Sequence, residues 1–442
     1  SIYIMSVAFL QLTFYFAYIV LVIAMLVKIS TIIWVITAFL ILYVGIYYTI
    51  FLRFPQFNFI SIIKSLKKNN NKKSNTFELL FLTLAGKIGV GSISGIALCI
   101  LYGGLGSLFW LWISAILLAS LSFVETKLGI KYKETYNGES IGGPSFYIEK
   151  GLNMKKLAKF YSVLIIITYI FSFISIQSNT IIISLENIIN VNKLLLVLML
   201  IVLTFFSIFR GIKTITRITN YLVPIMGIFY IIIGMIIILN NLSSVIEIFK
   251  QIFISAFNIK ALKTSILIPI IVGIERGIFS NEAGMGTTAM IAGLSNDNDI
   301  EKQANVQIIG TFFTSLIICT ITALIILTSN YQNLSVANIN GIELVSYAFF
   351  EHFGYFGIIM LTIIIFLFAF STIVTSYYYG EINIKYLTKS NKYINLLKII
   401  VIIIIIYSAF TNPQKLWLIV DIIVALISLI NVYAMYKLRK KL

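Results

Sequence analysis

The residues of this 442-residue chain that could do chemistry are charges and hydroxyls set deep inside apolar segments. They fall in two runs. Gly86-Lys87-Ile88-Gly89-Val90-Gly91-Ser92-Ile93-Ser94-Gly95 interrupts one segment, and Gly273-Ile274-Glu275-Arg276-Gly277-Ile278-Phe279-Ser280-Asn281-Glu282-Ala283-Gly284-Met285-Gly286 interrupts another. An unwound helix frees backbone groups that lipid cannot satisfy, so such breaks persist only where protein or ligand covers them. Paired breaks point to the substrate site of a secondary transporter. The second half of a broken helix presents unpaired N–H groups with partial positive charge, which suit a carboxylate. In the first break, Gly89, Gly91 and Gly95 let a ligand reach the backbone. In the second, Ser280 and Asn281 offer hydrogen bonds and Phe279 an apolar wall. The competing reading is close helix packing through small residues. Asn281, Glu282 and Arg276 at lipid depth favour a site, because buried ionisable groups in membranes are functional by default.

Composition sets the medium. The chain is 60% hydrophobic and only 11% charged, against about 25% charged in soluble domains. It reads as a polytopic membrane protein embedded in the lipid bilayer. A net charge of +17 fits basic loops and anionic lipid rather than nucleic acid. Cys99 and Cys319 lie in apolar segments and read as inert core residues, not a disulfide. One histidine, His352, gives no support for a zinc site. A membrane-bound transferase lacks material, since Asp occurs three times and Asp297 and Asp299 lie in a loop. No organic cofactor and no obligate protein partner is indicated.

A helix needs about 20 apolar residues to cross the hydrocarbon core. Spans are expected near 3–27, 31–52, 77–101, 106–129, 157–186, 192–209, 219–240, 264–293, 303–328, 354–386, 393–410 and 414–436. The first reads as an anchor helix rather than a cleaved signal peptide. Residues 243–260 mix charges with apolar residues at helical spacing and read as an interfacial helix. The loop 53–76 carries Arg53, Lys64, Lys67, Lys68, Lys72 and Lys73 and no acid, so it should be cytoplasmic. Both termini then come out cytoplasmic in a multi-pass plasma-membrane protein. The loop 294–302, with Asp297, Asp299 and Glu301, dissents, but acids weigh little in this rule. Setting aside the first two spans leaves ten, with breaks in the first and the sixth. That implies an all-α, five-plus-five inverted repeat preceded by two additional helices. The expected organisation is 1–76 as two helices and a basic loop, 77–240 as the first repeat and 241–442 as the second.

Arg276-Gly277-Ile278-Phe279-Ser280-Asn281-Glu282-Ala283-Gly284 resembles the signature of the alanine or glycine:cation symporter family. Gly142-Gly143-Pro144-Ser145-Phe146-Tyr147-Ile148-Glu149-Lys150-Gly151-Leu152 looks like that family's cytoplasmic motif. Leu52-Arg53-Phe54-Pro55-Gln56-Phe57, Gln177-Ser178-Asn179-Thr180 and Tyr378-Tyr379-Gly380-Glu381 also fit, and the resemblance spans about residues 40–436. It implies the leucine-transporter fold and uptake of a small neutral amino acid such as alanine or glycine, coupled to Na+ or H+. Carried over by position, Gly89, Val90, Gly91 and Ser92 would take the carboxylate, and Phe279, Ser280 and Asn281 would line the pocket. Gln177 would bond the ligand or else glue helices together. Ser371 and Thr372 would face a sodium ion beside the first break or else bond back to their own helix.

The family usually reads Gly-Thr-x-Gly-Thr-Gly-Asn in the first break, where this chain has Lys87, Val90 and Ser92 at the polar positions. A Trp usual in the eighth core helix is replaced near Ser376, and Glu275 stands before Arg276. A lysine at mid-membrane costs about 2.5–3.5 kcal/mol or more unless paired or hydrated. Three readings of Lys87 remain: a surrogate for a bound cation, a static partner of Glu125 or Glu282, or part of a decayed site. The alternative to coupled transport is therefore a sodium-independent facilitator or channel-like relative with a degenerate ion site.

Overall fold

Runs of Ile, Leu and Phe close their own backbone hydrogen bonds as helices, the form lipid allows outside a closed barrel. The computed structural model describes residues 28–66, 75–257, 267–296, 299–334 and 340–442. The expected span 3–27, the lysines at 67–73 and Asp297 lie outside the described residues. Eight described helices are long and apolar enough to cross a membrane.

The chain enters through α1 (Lys28–Phe51), which precedes the core. A short α2 (Phe59–Ser65) follows. The first core helix is broken into α3 (Thr76–Lys87) and α4 (Ser94–Gly103). The second is α5 (Gly106–Lys131). A hairpin of β1 (Glu134–Tyr136) and β2 (Glu139–Ile141) then leads into α6 (Pro144–Leu152). The third to fifth core helices are α7 (Lys155–Glu186), α8 (Lys193–Ile208) and α9 (Ile212–Asn240). α10 (Leu242–Phe257) is the amphipathic segment, with Val245, Ile248, Ile252 and Ala256 buried. Its Phe253 and Phe257 rings pack on Phe109 of α5 at 5.4 and 5.0 Å between centroids.

The sixth core helix is broken again, into α11 (Leu267–Asn281) and α12 (Thr287–Ala292). α13 (Ile300–Leu327) is the seventh, and α14 (Gly341–Phe353) caps one end of α4. α15 (Tyr355–Thr388), α16 (Asn391–Ala409) and α17 (Pro413–Lys437) complete the ten. The breaks thus fall in the first and sixth core helices.

The two broken helices sit at the centre. α11 and α12 pack on α5, and α3 lies between α9 and α15. α1 clamps the last core helix: Trp34 Nε1 donates to the Asp421 carbonyl at 3.0 Å, and Tyr48 donates to the Met435 carbonyl at 2.6 Å. Two helices relax into a π-turn next to the centre, at Ile167–Phe173 within α7 and Phe313–Ile318 within α13. Such bulges re-aim side chains and cluster at functional sites. Here they carry Phe173 to Phe279 and Ser315 to Asn281, both at the second break.

Candidate functional site

The first break begins at Lys87, where α3 ends. Gly89 is extended, Val90–Ser92 form one tight turn, and α4 starts at Ser94. Gln177 on α7 braces it, its Oε1 accepting from the Val90 N–H at 3.0 Å. Thr322 on α13 donates to the Ser92 carbonyl at 2.8 Å. In the second break Glu282 takes a left-handed conformation, as do Gly284 and Gly286. Asn281 folds back, its Oδ1 accepting from the Ala283 N–H at 2.9 Å, while its Nδ2 donates to Ser315 Oγ at 3.0 Å. Tyr161 donates to the Met285 carbonyl at 2.5 Å. Each break is thus held by side chains from other helices, as lipid-depth backbone requires.

The breaks meet at Gly91 and Phe279. A Cβ on Gly91 would lie 2.5 Å from Phe279 Cδ1, so only glycine permits this approach. Ser280 Oγ donates to the Gly91 carbonyl at 3.2 Å. Phe279 is sandwiched between Phe173 and Trp417, both at 4.8 Å between centroids. Of the expected pocket residues, Gly89, Val90, Gly91, Gln177, Phe279 and Ser280 therefore converge on one small volume. Asn281 and Ser92 are engaged with α13 around it. Gln177 acts as a brace between helices here, the second of its two expected roles.

On the other side of the first break, two hydroxyls from α15 point at its free carbonyls. Thr372 Oγ1 lies 2.9 Å from the Ala85 carbonyl and 3.4 Å from that of Ile88. Ser371 Oγ lies 3.4 Å from the Ala85 carbonyl. Both also bond back to the Phe368 carbonyl of their own helix while facing the first break. Two hydroxyls and two carbonyls at a helix break are neutral hard oxygens, the donor type that suits a group-one cation.

Lys87 points away from that cradle. Its side chain is 2% exposed, and its Nζ donates to Thr311 Oγ1 at 3.1 Å. Thr311 in turn bonds Ser122 at 2.8 Å. The expected static pairing with Glu125 or Glu282 does not form: among the described residues Lys87 has no ion pair within 4.0 Å. The carboxylates are held by neutral donors instead. Glu125 Oε1 accepts from the Gly286 N–H at 2.9 Å and from Asn431 Nδ2 at 2.8 Å. Glu282 accepts from Tyr169 at 3.2 Å and Tyr379 at 3.5 Å.

Several partners were not evident in the sequence. Arg276 Nη2 pairs with Asp421 at 2.7 Å and Glu275 at 2.8 Å, and its guanidinium lies 5.3 Å from the Trp417 ring centre. Glu275, an oddity in sequence, thus shares the charge of its neighbour. The signal available for Asp421 was that it is an acid inside an apolar span. Trp417, Tyr169, Tyr379 and Asn431 had no comparable signal, because aromatic and amide residues are common in membrane helices.

At the basic end, Lys385 pairs with Glu381 at 2.8 Å and with Glu139 of the hairpin. These groups edge a polar cavity of about 350 Å³. Tyr386 donates to Glu149 of α6, and that bond, aided by Lys155, holds the Glu149 carboxyl below the usual carboxylate range.

Residues 20–442 match the sodium:alanine symporter family. The amino-acid carrier protein AlsT of Bacillus subtilis is 33% identical, over 91% of this chain and 86% of its own length. The probable sodium/glutamine symporter GlnT of the same organism is 34% identical over 91% and 85%. The sodium/alanine symporter AgcS of Methanococcus maripaludis is 31% identical over 86% and 87%. Among solved structures, MhsT in complex with L-phenylalanine superposes with a TM-score of 0.61 at 17% identity, over 80% of this chain and 87% of that one. A Na+-coupled sialic acid symporter in a substrate-bound outward-open state gives 0.58 at 14%, over 93% and 86%. The fold is the leucine-transporter fold. The chain belongs to the sodium:alanine symporter family, a family of sodium-coupled amino-acid transporters and not of enzymes.

Proposed function

We propose that this member of the sodium:alanine symporter family imports a small neutral amino acid, alanine or glycine, together with sodium, by alternating access. The observation that carries the reading is the meeting of the two breaks at Gly91 and Phe279, beside the Ala85, Ile88, Ser371 and Thr372 oxygens. The carboxylate of the substrate would face the break at Val90–Ser92. Phe279, Phe173 and Trp417 would limit side-chain volume to a hydrogen or a methyl. The four oxygens fit sodium, which would tie α3 to α15 while the substrate is bound. In this reading the basic face is cytoplasmic and both termini lie there. Residues 77–240 and 241–442 form the two inverted halves. The intact oxygen cradle favours coupling over the facilitator alternative.

The test is uptake of labelled alanine and glycine by the purified chain in liposomes, with sodium and proton gradients imposed separately. The expected result is accumulation driven by inward sodium, with glutamate and lysine failing to compete. Glutamate competing best would refute the neutral-substrate assignment. Equal uptake with and without a sodium gradient would refute coupling through the cradle.

A further inference from the structure

The cavity at the basic end lies off the path through the two breaks. Tyr379 of α15 reaches Glu282 at the second break. Glu381 stands two residues further on, about 200° around the helix, so it faces away from that break. Lys385, one turn beyond, shares the face of Glu381 and pairs with it at 2.8 Å. The polar cavity of about 350 Å³ opens on this face, and its volume is in the range of small-molecule sites. Its other walls include Glu139 of the hairpin and Asn391, Asn395 and Lys398 of α16.

The lining carries two ammoniums and two carboxylates, but they are not paired one to one. Lys385 serves both Glu381 and Glu139. Glu139 Oε1 is left with no partner among the described residues. Lys398 has no carboxylate within 4.0 Å among them and lies 4.9 Å from the Phe209 ring centre instead. Asn391, Asn395 and Lys398 recur at i, i+4 and i+7, on one face of α16. Neither asparagine side chain has a hydrogen-bond partner among the described residues. One wall thus has a carboxylate to spare, and the other an ammonium flanked by amide donors. A simple anion there would meet Glu139 and Glu381, and a simple cation would meet Lys398. A molecule that carries both charges satisfies both walls. Beside these polar residues α16 exposes Tyr393, Leu396 and Ile399, an apolar surface suited to lipid chains.

We propose that this cavity binds a zwitterion with a primary ammonium, which donates to the Glu139 carboxylate while the anionic group is taken by Lys398 and the amides of Asn391 and Asn395. Two sources carry that chemistry. One is the phosphoethanolamine headgroup of a lipid, entering beside Tyr393, Leu396 and Ile399. The other is a free amino acid in the solution at the basic end. Either would tie the hairpin to α16 across the end of α15. The site is separate from the junction at Gly91 and Phe279, and its occupancy is measured without transport, so its failure would leave the transport reading untouched.

Native mass spectrometry of the full chain in detergent, offered equal amounts of phosphatidylethanolamine, phosphatidylcholine and phosphatidylglycerol, reads the lipid source. Equilibrium dialysis against labelled alanine in sodium-free buffer reads the amino-acid source. For a lipid, phosphatidylethanolamine should be retained about tenfold or more over phosphatidylcholine, which lacks N–H donors, and over phosphatidylglycerol, which lacks the ammonium. Lys398→Gln and Glu139→Gln should each abolish that preference. For an amino acid, alanine should show a binding component that each variant weakens about tenfold or more. Lys398→Gln leaves the Glu139, Lys385 and Glu381 group intact, so it decides if Glu139→Gln does not fold. Equal retention of the three lipids, together with no alanine component sensitive to Lys398→Gln, overturns the proposal. So does a preference for phosphatidylglycerol, which would make the cavity a plain anion site, and so does an ethanolamine preference that survives Lys398→Gln.

Discussion

Thr372→Val removes the best-placed oxygen of the proposed sodium cradle and keeps most of the side chain's volume. In the structure Thr372 Oγ1 is 2.9 Å from the Ala85 carbonyl and 3.4 Å from the Ile88 carbonyl. Ser371 also reaches the Ala85 carbonyl, at 3.4 Å, so that acceptor keeps a donor in the variant. The cost to the fold is therefore one ordinary hydrogen bond, about 1 kcal/mol. A polar contact to a charged group is worth more, about 1.5–3 kcal/mol. Sodium affinity should fall about 10–150-fold, while alanine affinity at saturating sodium changes little. The assay is alanine uptake in liposomes as a function of external sodium, with Thr372→Ser as the variant that restores the oxygen. A half-saturating sodium concentration within about twofold of wild type would sink the cradle assignment, since that is under 0.5 kcal/mol.

Gly91→Ala places a methyl 2.5 Å from Phe279 Cδ1; Phe279 must move off its stack with Phe173 and Trp417, and alanine uptake should drop more than glycine uptake. Asp421→Asn leaves Arg276 with Glu275 alone, which should weaken the hold of α11 on α17 and raise cysteine accessibility of the Gly91 region in labelling experiments. Lys87→Thr removes the ammonium beside Thr311, so sodium stimulation of uptake should strengthen; unchanged stimulation would reduce Lys87 to a structural residue. The Glu149 carboxyl is held low by Tyr386 and Lys155, so its contribution is present above the ordinary carboxylate range and lost as pH falls through its lowered value. Protection factors in Pro144–Leu152, corrected for the intrinsic pH dependence of amide exchange, should therefore fall on acidification in wild type and change less in Glu149→Gln.

The breaks were legible because they violate a strong rule. Glycine, charge and hydroxyl together inside an apolar segment tip the balance in lipid from close packing toward a covered break, and the lengths of the apolar runs set the span order. The amphipathic α10 was legible for a related reason, as its charges recur on one face. Side-chain pairing was not legible. One of the three sequence readings of Lys87 pairs it with Glu125 or Glu282, yet it bonds Thr311 and leaves both acids to neutral donors. Sequence separation hides such choices: Lys87 and Thr311 are 224 residues apart, and Arg276 and Asp421 are 145 apart. Hydropathy also misses the π-turns, since a helix with one wide turn has the same composition as one without.

Two sets of contacts of different chemistry flank the Gly91–Phe279 junction. Toward the Trp417 side the set is charged and aromatic: Arg276 bridges Glu275 and Asp421, and Trp417 packs on Phe279. Toward the basic side it is a chain of neutral hydrogen bonds with one carboxylate at its centre. Tyr147 donates to Asn431, Asn431 donates to Glu125 and to the Gly284 carbonyl, and Tyr161 donates to the Met285 carbonyl. α17 contributes to both sets, through Asp421 at one end and Asn431 at the other. In the proposed transport cycle these two contacts of α17 would have to give way in turn, Asp421 with Arg276 for one opening and Asn431 with Glu125 for the other, so a helix held by α1 at Trp34 and Tyr48 is placed to link them.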